Sequence, residues 1–135
     1  MYSGMIGSKR PGWIFFEVMQ EQGVIEIAPD GQTAKGRWYT PAFECRPFGG
    51  TRKQTWEFGV YDNVYVKENG RWLFSKMHFF LNFRTPYEDG WMVTPVVGQN
   101  GPDANVPPDA PPTQWHPYPE GYHFPLHFKH PITGK

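Results

Sequence analysis

The amino-acid sequence predicts a mostly β domain, built as a strongly curved antiparallel sheet and followed by a proline-rich C-terminal tail. Three observations support this prediction. Long apolar-rich segments with alternating polarity are separated by short turns. Aromatic residues make up 18% of the chain, and 15 glycines and 15 prolines are too many for a helix bundle. Gly36 and Gly59 fall inside predicted strands, where glycine favours the bends and bulges of a curved sheet.

The central element is a β-hairpin between Thr55 and Phe83. Its two strands flank Glu68-Asn69-Gly70, and Asn-Gly between two alternating segments is the strongest short-range signal for a hairpin. Strand residues two apart share a face. The first strand therefore has one polar face and one apolar face that only Asp62 interrupts. The second strand carries large apolar groups on both sides, so we expect it to be covered on both.

A second hairpin precedes the central one. Ala28-Pro29-Asp30-Gly31 has the chemistry of a tight turn, in which proline presets one dihedral angle and glycine takes a positive φ. Strands over 24–27 and 33–45 flank this turn. Residues 13–22 fit either extended structure or a short helical segment. With Gly49-Gly50 as a further turn, the simplest arrangement is a meander of four antiparallel strands.

The C-terminal third of the chain has a different composition. Residues 93–135 hold ten of the fifteen prolines and show almost no alternation of apolar and polar residues. We therefore divide the chain into a curved β domain over residues 1–92 and an irregular tail over residues 93–135. Residues 100–112 have the composition of a proline-stiffened linker, whereas residues 114–135 are rich in aromatic residues. We expect this tail to pack on the domain or on a neighbouring subunit.

Charge and cysteine content narrow the classes of function. Thirteen basic residues balance thirteen acidic ones, so the positive excess that nucleic-acid binding requires is missing. The sequence has no apolar segment of membrane-spanning length and no secretory signal pattern. The single cysteine, Cys45, cannot form an internal disulfide and is interpreted as a half-buried structural side chain. We expect a cytoplasmic protein that binds neither nucleic acid nor membranes.

Several segments together resemble the nuclear transport factor 2-like superfamily. They are the hairpin GVIEIAPDGQTAKGRWY, the W-E-x-G-x-Y pattern that begins at Trp56, the segment VYVKENGRWLFSKMHFF, and RTPYEDGW. Within that superfamily the chain is most similar to the SnoaL-like proteins, which are relatives of polyketide cyclases. The resemblance covers about residues 22–91. It is most specific where the DGxTAKGRW hairpin combines with GxY and YVKENGxW.

The resemblance implies an α+β fold, in which N-terminal helices close a cone-shaped antiparallel sheet over a deep pocket. Family members carry a long helical segment before the first long strands, and this chain has only a short one there. Residues that the family places on those helices are therefore not carried over. Another chain or the tail would have to supply the cover, because a bare curved sheet exposes apolar surface. We expect a homo-oligomer, or a partner chain that covers the sheet.

His78 is the leading candidate for a catalytic residue. The resemblance points it into the cone, and histidine both gives and takes protons near neutral pH, as cyclisation, dehydration and isomerisation require. The alternative is a core histidine bonded to a backbone group or a tyrosine. Glu57 and Tyr61 are expected across the hairpin from the His78 strand, as a base or orienting group and as a donor to an enolate oxygen. Their alternatives are an ion pair of Glu57 with Lys76 or Arg37, and aromatic packing of Tyr61.

Six further residues are candidates for binding substrate: Trp38, Trp56, Trp72, Asn63, Asn82 and Arg37. The three tryptophans either wall a pocket or fill the core, and filling is the more common role. The two asparagines lie on the central hairpin, where a buried polar group must find a partner. The arginine either binds an anionic group of the substrate or forms a surface ion pair. Asp62 is interpreted as structural, with a basic partner such as Arg71.

Four of the five histidines lie in the tail, between His116 and His130. His123 and His127 have a four-residue spacing that brings ligands together only on a helix, and Pro125 between them disfavours a helix. We therefore expect these histidines to pack on another surface, with no metal site. The sequence matches no phosphate-binding glycine loop, nucleophile elbow or dinucleotide motif, so no cofactor is expected.

Two hypotheses for function follow. The first is a SnoaL-like enzyme that performs cofactor-independent acid–base chemistry on a hydrophobic small molecule, as a cyclase, dehydratase or isomerase. The second is a non-catalytic ligand-binding or assembly protein that uses the same cone as a scaffold. The aromatic surroundings of His78 favour the first hypothesis, and the missing helices favour the second.

Overall fold

The computed structural model describes residues 15–48, 51–95, 116, 119–120, 122–130 and 132–135. Its strands are β1 (Phe15–Val18), β2 (Val24–Ile27), β3 (Thr33–Phe48), β4 (Thr51–Glu68), β5 (Arg71–Lys76) and β6 (Phe79–Pro86). Together they form a curled antiparallel half-barrel, which confirms the predicted mostly β fold. No helix that is long and apolar enough to cross a membrane occurs in the described part of the chain. The linker predicted over residues 100–112 lies outside it.

The sheet is organised around the long hairpin of β3 and β4, whose pairing runs from Thr33–Val66 to Phe48–Thr51. β1 and β2 both pair with β3, and β5 and β6 both pair with β4. β1 and β2 form one bent strand that is interrupted at residues 19–23, and β5 and β6 form another that is interrupted at residues 77–78. The predicted meander of four strands is therefore confirmed, and the helical alternative for the first segment is wrong at residues 15–18.

Two turns have the backbone conformation that their sequences predict. At the β4–β5 turn, Asn69 and Gly70 have φ values of 50° and 77°. Two consecutive positive φ values match the right-handed twist of the flanking strands, which is why Asn-Gly is favoured there. At the β2–β3 turn, Gly31 has a φ of 65°, and its N–H donates to the carbonyl of Ala28 over 2.8 Å.

Gly59 lies at a bulge that brings β4 and β6 close together. The β4–β6 register shifts between Phe58 and Gly59, as predicted for a glycine inside this strand. A Cβ atom at Gly59 would lie 2.3 Å from the ring of Phe79 and 2.5 Å from the carbonyl oxygen of Phe80. Only glycine leaves room for this approach.

Gly36 has a different role, since the pairing of β2 and β3 runs through it without a shift. The ring of Trp38 lies over Gly36, where a Cβ atom would come within 2.4 Å of it. The same ring also covers Gly23. An aromatic ring thus covers the backbone that two glycines leave open.

The register divides the sheet into two faces. Arg37 of β3 is opposite Asp62 of β4, and both contact the C-terminal segment 122–130. We call their side of the sheet the tail face. The other side, which includes Gly36 and Gly59, is the glycine face.

Buried side chains in the described part of the chain are more often polar than apolar. The buried apolar side chains there are Ala34, Ala42, Val60, Pro86 and Phe124. The buried polar or charged residues are Arg37, Thr40, Glu44, Thr55, Glu57, Asn63 and Thr85. An interior of this composition depends on hydrogen bonds, since an unpaired buried polar group costs about 1–3 kcal/mol.

Replacing Gly59 with alanine should destabilise the domain by about 1–3 kcal/mol, because the new Cβ overlaps a ring and a backbone oxygen. Denaturant unfolding followed by tryptophan fluorescence measures this change. Thr51→Ala, at the exposed start of the same strand, is the control and should change the unfolding free energy by less than about 0.5 kcal/mol. Equal, small effects of both substitutions would contradict the close approach at Gly59.

Candidate functional site

The candidate site lies on the tail face, where β3, β4 and the residues before β6 meet in one row. Arg37 is the cross-strand partner of Asp62. The backbone N–H of Asp62 donates to the carbonyl of His78 over 2.8 Å. Cross-strand partners in an antiparallel sheet present their side chains on the same face. The side chains of Arg37, Asp62 and His78 therefore extend from adjacent positions on the tail face.

Arg37 attaches the tail to the sheet. Its Nη1 and Nη2 groups donate to the carbonyls of Phe124 and Pro125 over 3.2 Å and 2.5 Å. The Phe124 ring lies 4.2 Å from the ring of Phe80 and is buried. The sequence left open an anion-binding role or a surface ion pair for Arg37. Its side chain is instead only 3% exposed, and it binds two backbone oxygens and a carboxylate.

Asp62 is that carboxylate, and it also orients a histidine from the tail. Its Oδ1 atom lies 3.3 Å from Arg37 Nε and 3.0 Å from His127 Nδ1. An ionised carboxylate only accepts hydrogen bonds, so Nδ1 carries the proton and Nε2 of a neutral ring has the lone pair. His127 Nε2 is buried and has no hydrogen-bond partner among the described residues. The pair has the arrangement of a general base oriented by a carboxylate.

His78 is half-buried on the same face, with its ring 4.0 Å from the ring of Phe80. Burial lowers the pKa of His78 below its ordinary value of 6.5, and the Lys76 ammonium lowers it further. The Asp62 carboxylate opposes both effects. The imidazole is therefore neutral near pH 7, where it accepts a proton from a donor.

Glu57 and Tyr61 are not brought together with His78. The register next to the β4–β5 turn, continued without a bulge, would place His78 opposite Tyr61. Ser75 is an extra residue at a bulge in this pairing, and it moves His78 by one position to face Asp62 instead. A shift of one residue transfers a side chain to the other face of a sheet.

Both residues have partners on the glycine face. Arg84 Nε donates to Glu57 Oε2, so the ion pair of this glutamate is with Arg84 and not with Lys76 or Arg37. The ring of Tyr61 lies 4.7 Å from the ring of Phe79. Glu57 is 8% exposed, and the pair therefore forms a buried polar contact between β4 and β6.

The three tryptophans lie in three separate places. Trp38 covers two glycines on the glycine face, with its ring 6.1 Å from that of Tyr65. Trp56 is on the tail face, where its ring is 5.9 Å from that of Trp91. Trp72 is 40% exposed on β5, beneath the ammonium of Lys67. They do not wall a common pocket in the described part of the chain.

The two asparagines have different surroundings. Asn63 is buried, and its side chain bridges the Tyr65 hydroxyl at 3.2 Å and the backbone N–H of His78 at 3.3 Å. Burial raises the pKa of Tyr65 above 10.0, and the hydrogen bond from Asn63 opposes this shift. Asn82 is the extra residue at the β4–β6 bulge, and its buried Oδ1 has no partner in the part of the chain that the structure describes.

Sequence reasoning missed the pairing of Asp62 with His127. Asp62 was expected beside a basic residue such as Arg71, and the partner is Arg37. The signal at Asp62 was its position as the single polar residue of an apolar strand face. His127 has no comparable signal, because a tail without periodicity gives no direction for its side chain.

The described residues contain no group of three or more possible metal-ligating side chains. A shallow cavity of about 300 Å³ is lined by Glu26, Ile27, Ala28, Pro29, Thr33, Ala34, Lys35 and Val64. It lies beside the β2–β3 turn and does not include His78 or His127.

The sequence was compared with models of known protein families. A family model described as a SnoaL-like domain matches residues 3–78. This range includes β1 to β5 and ends at His78, before the segment that carries His127. No curated protein matches the sequence.

Replacing Asp62 with asparagine should reduce the unfolding free energy by about 1–3 kcal/mol, because it leaves the buried Arg37 charge without its carboxylate. A double-mutant cycle with His127→Gln should show coupling of about 0.5 kcal/mol or more. Asp89→Asn is the matched control, since Asp89 accepts an exposed hydrogen bond from Thr94. Additive effects in the cycle would contradict the Asp62–His127 contact.

The lowered pKa of His78 predicts a dependence of stability on pH. Between that pKa and 6.5 the unfolded chain binds more protons than the folded one, so stability rises with pH across this window. His78→Gln should remove this part of the slope, as urea unfolding at a series of pH values will measure. Thr51→Ala, a change at an exposed position that does not titrate, should leave the slope unchanged. A difference between wild type and His78→Gln that is constant with pH would contradict the shift.

Proposed function

Because the chain belongs to the SnoaL-like domain family, we propose that it binds a hydrophobic small molecule and transfers a proton on it without a cofactor. The family supports small-molecule binding or cofactor-free catalysis as the general class of function. The observation that supports catalysis is the Asp62–His127 pair with its unpartnered Nε2 atom. Leaving this buried nitrogen without a hydrogen bond costs about 1–3 kcal/mol of folding free energy, and a bound substrate would offset that cost.

The proposed reaction uses the two histidines of the tail face. His127 Nε2 takes a proton from a carbon next to a carbonyl group, and the Asp62 carboxylate stabilises the resulting imidazolium. Arg37 holds that carboxylate in position through Nε. His78, which is neutral near pH 7, is the second group that exchanges a proton with the substrate. Proton transfer of this kind supports cyclisation, dehydration or isomerisation.

The proposed substrate position is the one that Phe124 occupies on Phe80. Aromatic rings of Phe80, His78 and Phe124 form a continuous apolar surface beside the Asp62–His127 pair. A flat cyclic substrate would replace Phe124 there, with little change in the surface that the sheet presents. The Arg37 hydrogen bonds to the Phe124 and Pro125 carbonyls hold the tail over this position. Substrate entry therefore requires only the Phe124 ring to leave this position, while the hydrogen bonds of Arg37 to the tail backbone keep His127 beside Asp62.

A second candidate function is non-catalytic ligand binding or assembly. The observation that favours it is the division of the predicted catalytic residues between two faces, which leaves Glu57 paired with Arg84. In this case Arg37 and Asp62 serve only to hold the tail. The same experiment separates the two candidates.

Hydrogen–deuterium exchange of cyclic and aromatic ketones in D₂O, followed by NMR, tests the proposal. The wild-type protein should accelerate exchange at carbons next to the carbonyl. His127→Gln should slow it by about 100-fold or more, and Asp62→Asn should also slow it, because the base is removed or misoriented. His123→Gln, a change of the same type at an exposed histidine, should have no effect. Ketone binding without any exchange in the wild type would favour the second candidate, and exchange that survives His127→Gln would exclude His127 as the base.

A further inference from the structure

The edge strands β2 and β5 carry exposed apolar side chains, and each has a free backbone edge within the described part of the sheet. β2 pairs only with β3, and β5 pairs only with β4, among the described strands. Every residue of both strands is exposed, including Ile25 at 61% and Phe74 at 59%. Exposed edges with large apolar groups are sites where another strand adds to a sheet.

Charge differs between these two edges. On the tail face, β2 carries Glu26, whereas β5 carries Arg71 and Lys76, as their partners on β3 and β4 place them. On the glycine face, the paired residues of both strands are apolar. These are Ile25 and Ile27 on β2, and Trp72 and Phe74 on β5. The edges are therefore complementary to each other and not to themselves.

We propose that β5 of one copy of this chain pairs with β2 of a second copy. Each strand of the meander is antiparallel to the next, so a second copy in the same orientation presents β2 antiparallel to β5 with matching faces. One register then places Glu26 opposite Arg71, Ile25 opposite Trp72 and Val24 opposite Leu73. Opposite charges and an aromatic ring against a β-branched residue are favourable cross-strand pairs.

The charges already present in each sheet support this pairing. Within one copy, Glu26 is opposite Lys35, and Arg71 is opposite Glu68. The joined sheets would continue this alternation as a row of Lys35, Glu26, Arg71 and Glu68. A symmetric pairing of two β5 strands brings only the basic Arg71 and Lys76 to the tail face of the interface, and one of two β2 strands brings only the acidic Glu26, so neither contains an attractive charge pair. The interface is therefore head-to-tail, and it closes into a ring or extends as a filament.

Sedimentation velocity over a range of protein concentrations tests the proposal. Wild type should associate as concentration rises. Glu26→Lys alone, and Arg71→Glu with Lys76→Glu, should each weaken association by about tenfold, because an attractive cross-strand pair becomes repulsive. An equimolar mixture of these two variants should recover it, since each then presents edges that are complementary to those of the other. The triple variant should also associate. Glu88→Lys, the same charge change in the exposed turn after β6, should associate like wild type.

Three results would overturn the proposal. They are a wild type that stays monomeric at every concentration, association that is unaffected in both charge variants, and a mixture that fails to recover. Circular dichroism establishes that each variant is folded. Should Glu26→Lys fail to fold, the double variant on β5 tests the same interface from its other side.

Discussion

The Arg37 guanidinium is the interaction on which the tail face depends. It is nearly completely buried, and its hydrogen bonds join β3 to two other elements: the Asp62 carboxylate on β4 and two backbone carbonyls of the tail. A buried guanidinium is tolerated only when its charge and its donors are all matched. The same side chain therefore holds Asp62 in place, attaches the tail to the sheet, and positions His127 beside the carboxylate.

Two bulges decide which side chains share a face. Ser75 is the extra residue in the pairing of β4 with β5, and Asn82 is the extra residue in the pairing of β4 with β6. Each bulge shifts the pairing register of the outer strand by one position. The first shift places His78 on the side of Asp62, away from Glu57. The position of His78 on the tail face thus arises from an irregularity in the sheet.

The composition of the interior fits a family whose fold serves small-molecule binding or catalysis. Polar groups such as Glu57 and Asn63 are buried in ion pairs and hydrogen bonds, while large apolar side chains of β2 and β5 lie on the surface. Hydrogen-bonded polar groups fix a single geometry, because they lose their partners if they move. Apolar side chains on open edges stabilise the protein only when another strand removes them from water. The buried polar groups favour a defined site, and the exposed apolar groups favour association with another chain.

The sequence by itself determined the two turns and the strands from β2 onward in their order, and it left residues 13–22 open between extended and helical structure. Period-two alternation, the Asn69-Gly70 turn and the Pro29–Gly31 turn are local signals, because they depend on backbone preferences within a few residues. The sequence also indicated that Gly59 lies at a bulge and that Asp62 needs a basic partner. Only the tertiary structure decided that this partner is Arg37 and that His127 completes the pair. A bulge at Ser75 decides the side of the sheet on which His78 lies, and the path of the proline-rich tail decides it for His127. Neither feature leaves a periodic pattern in the sequence, so only the tertiary structure shows where the two histidines lie.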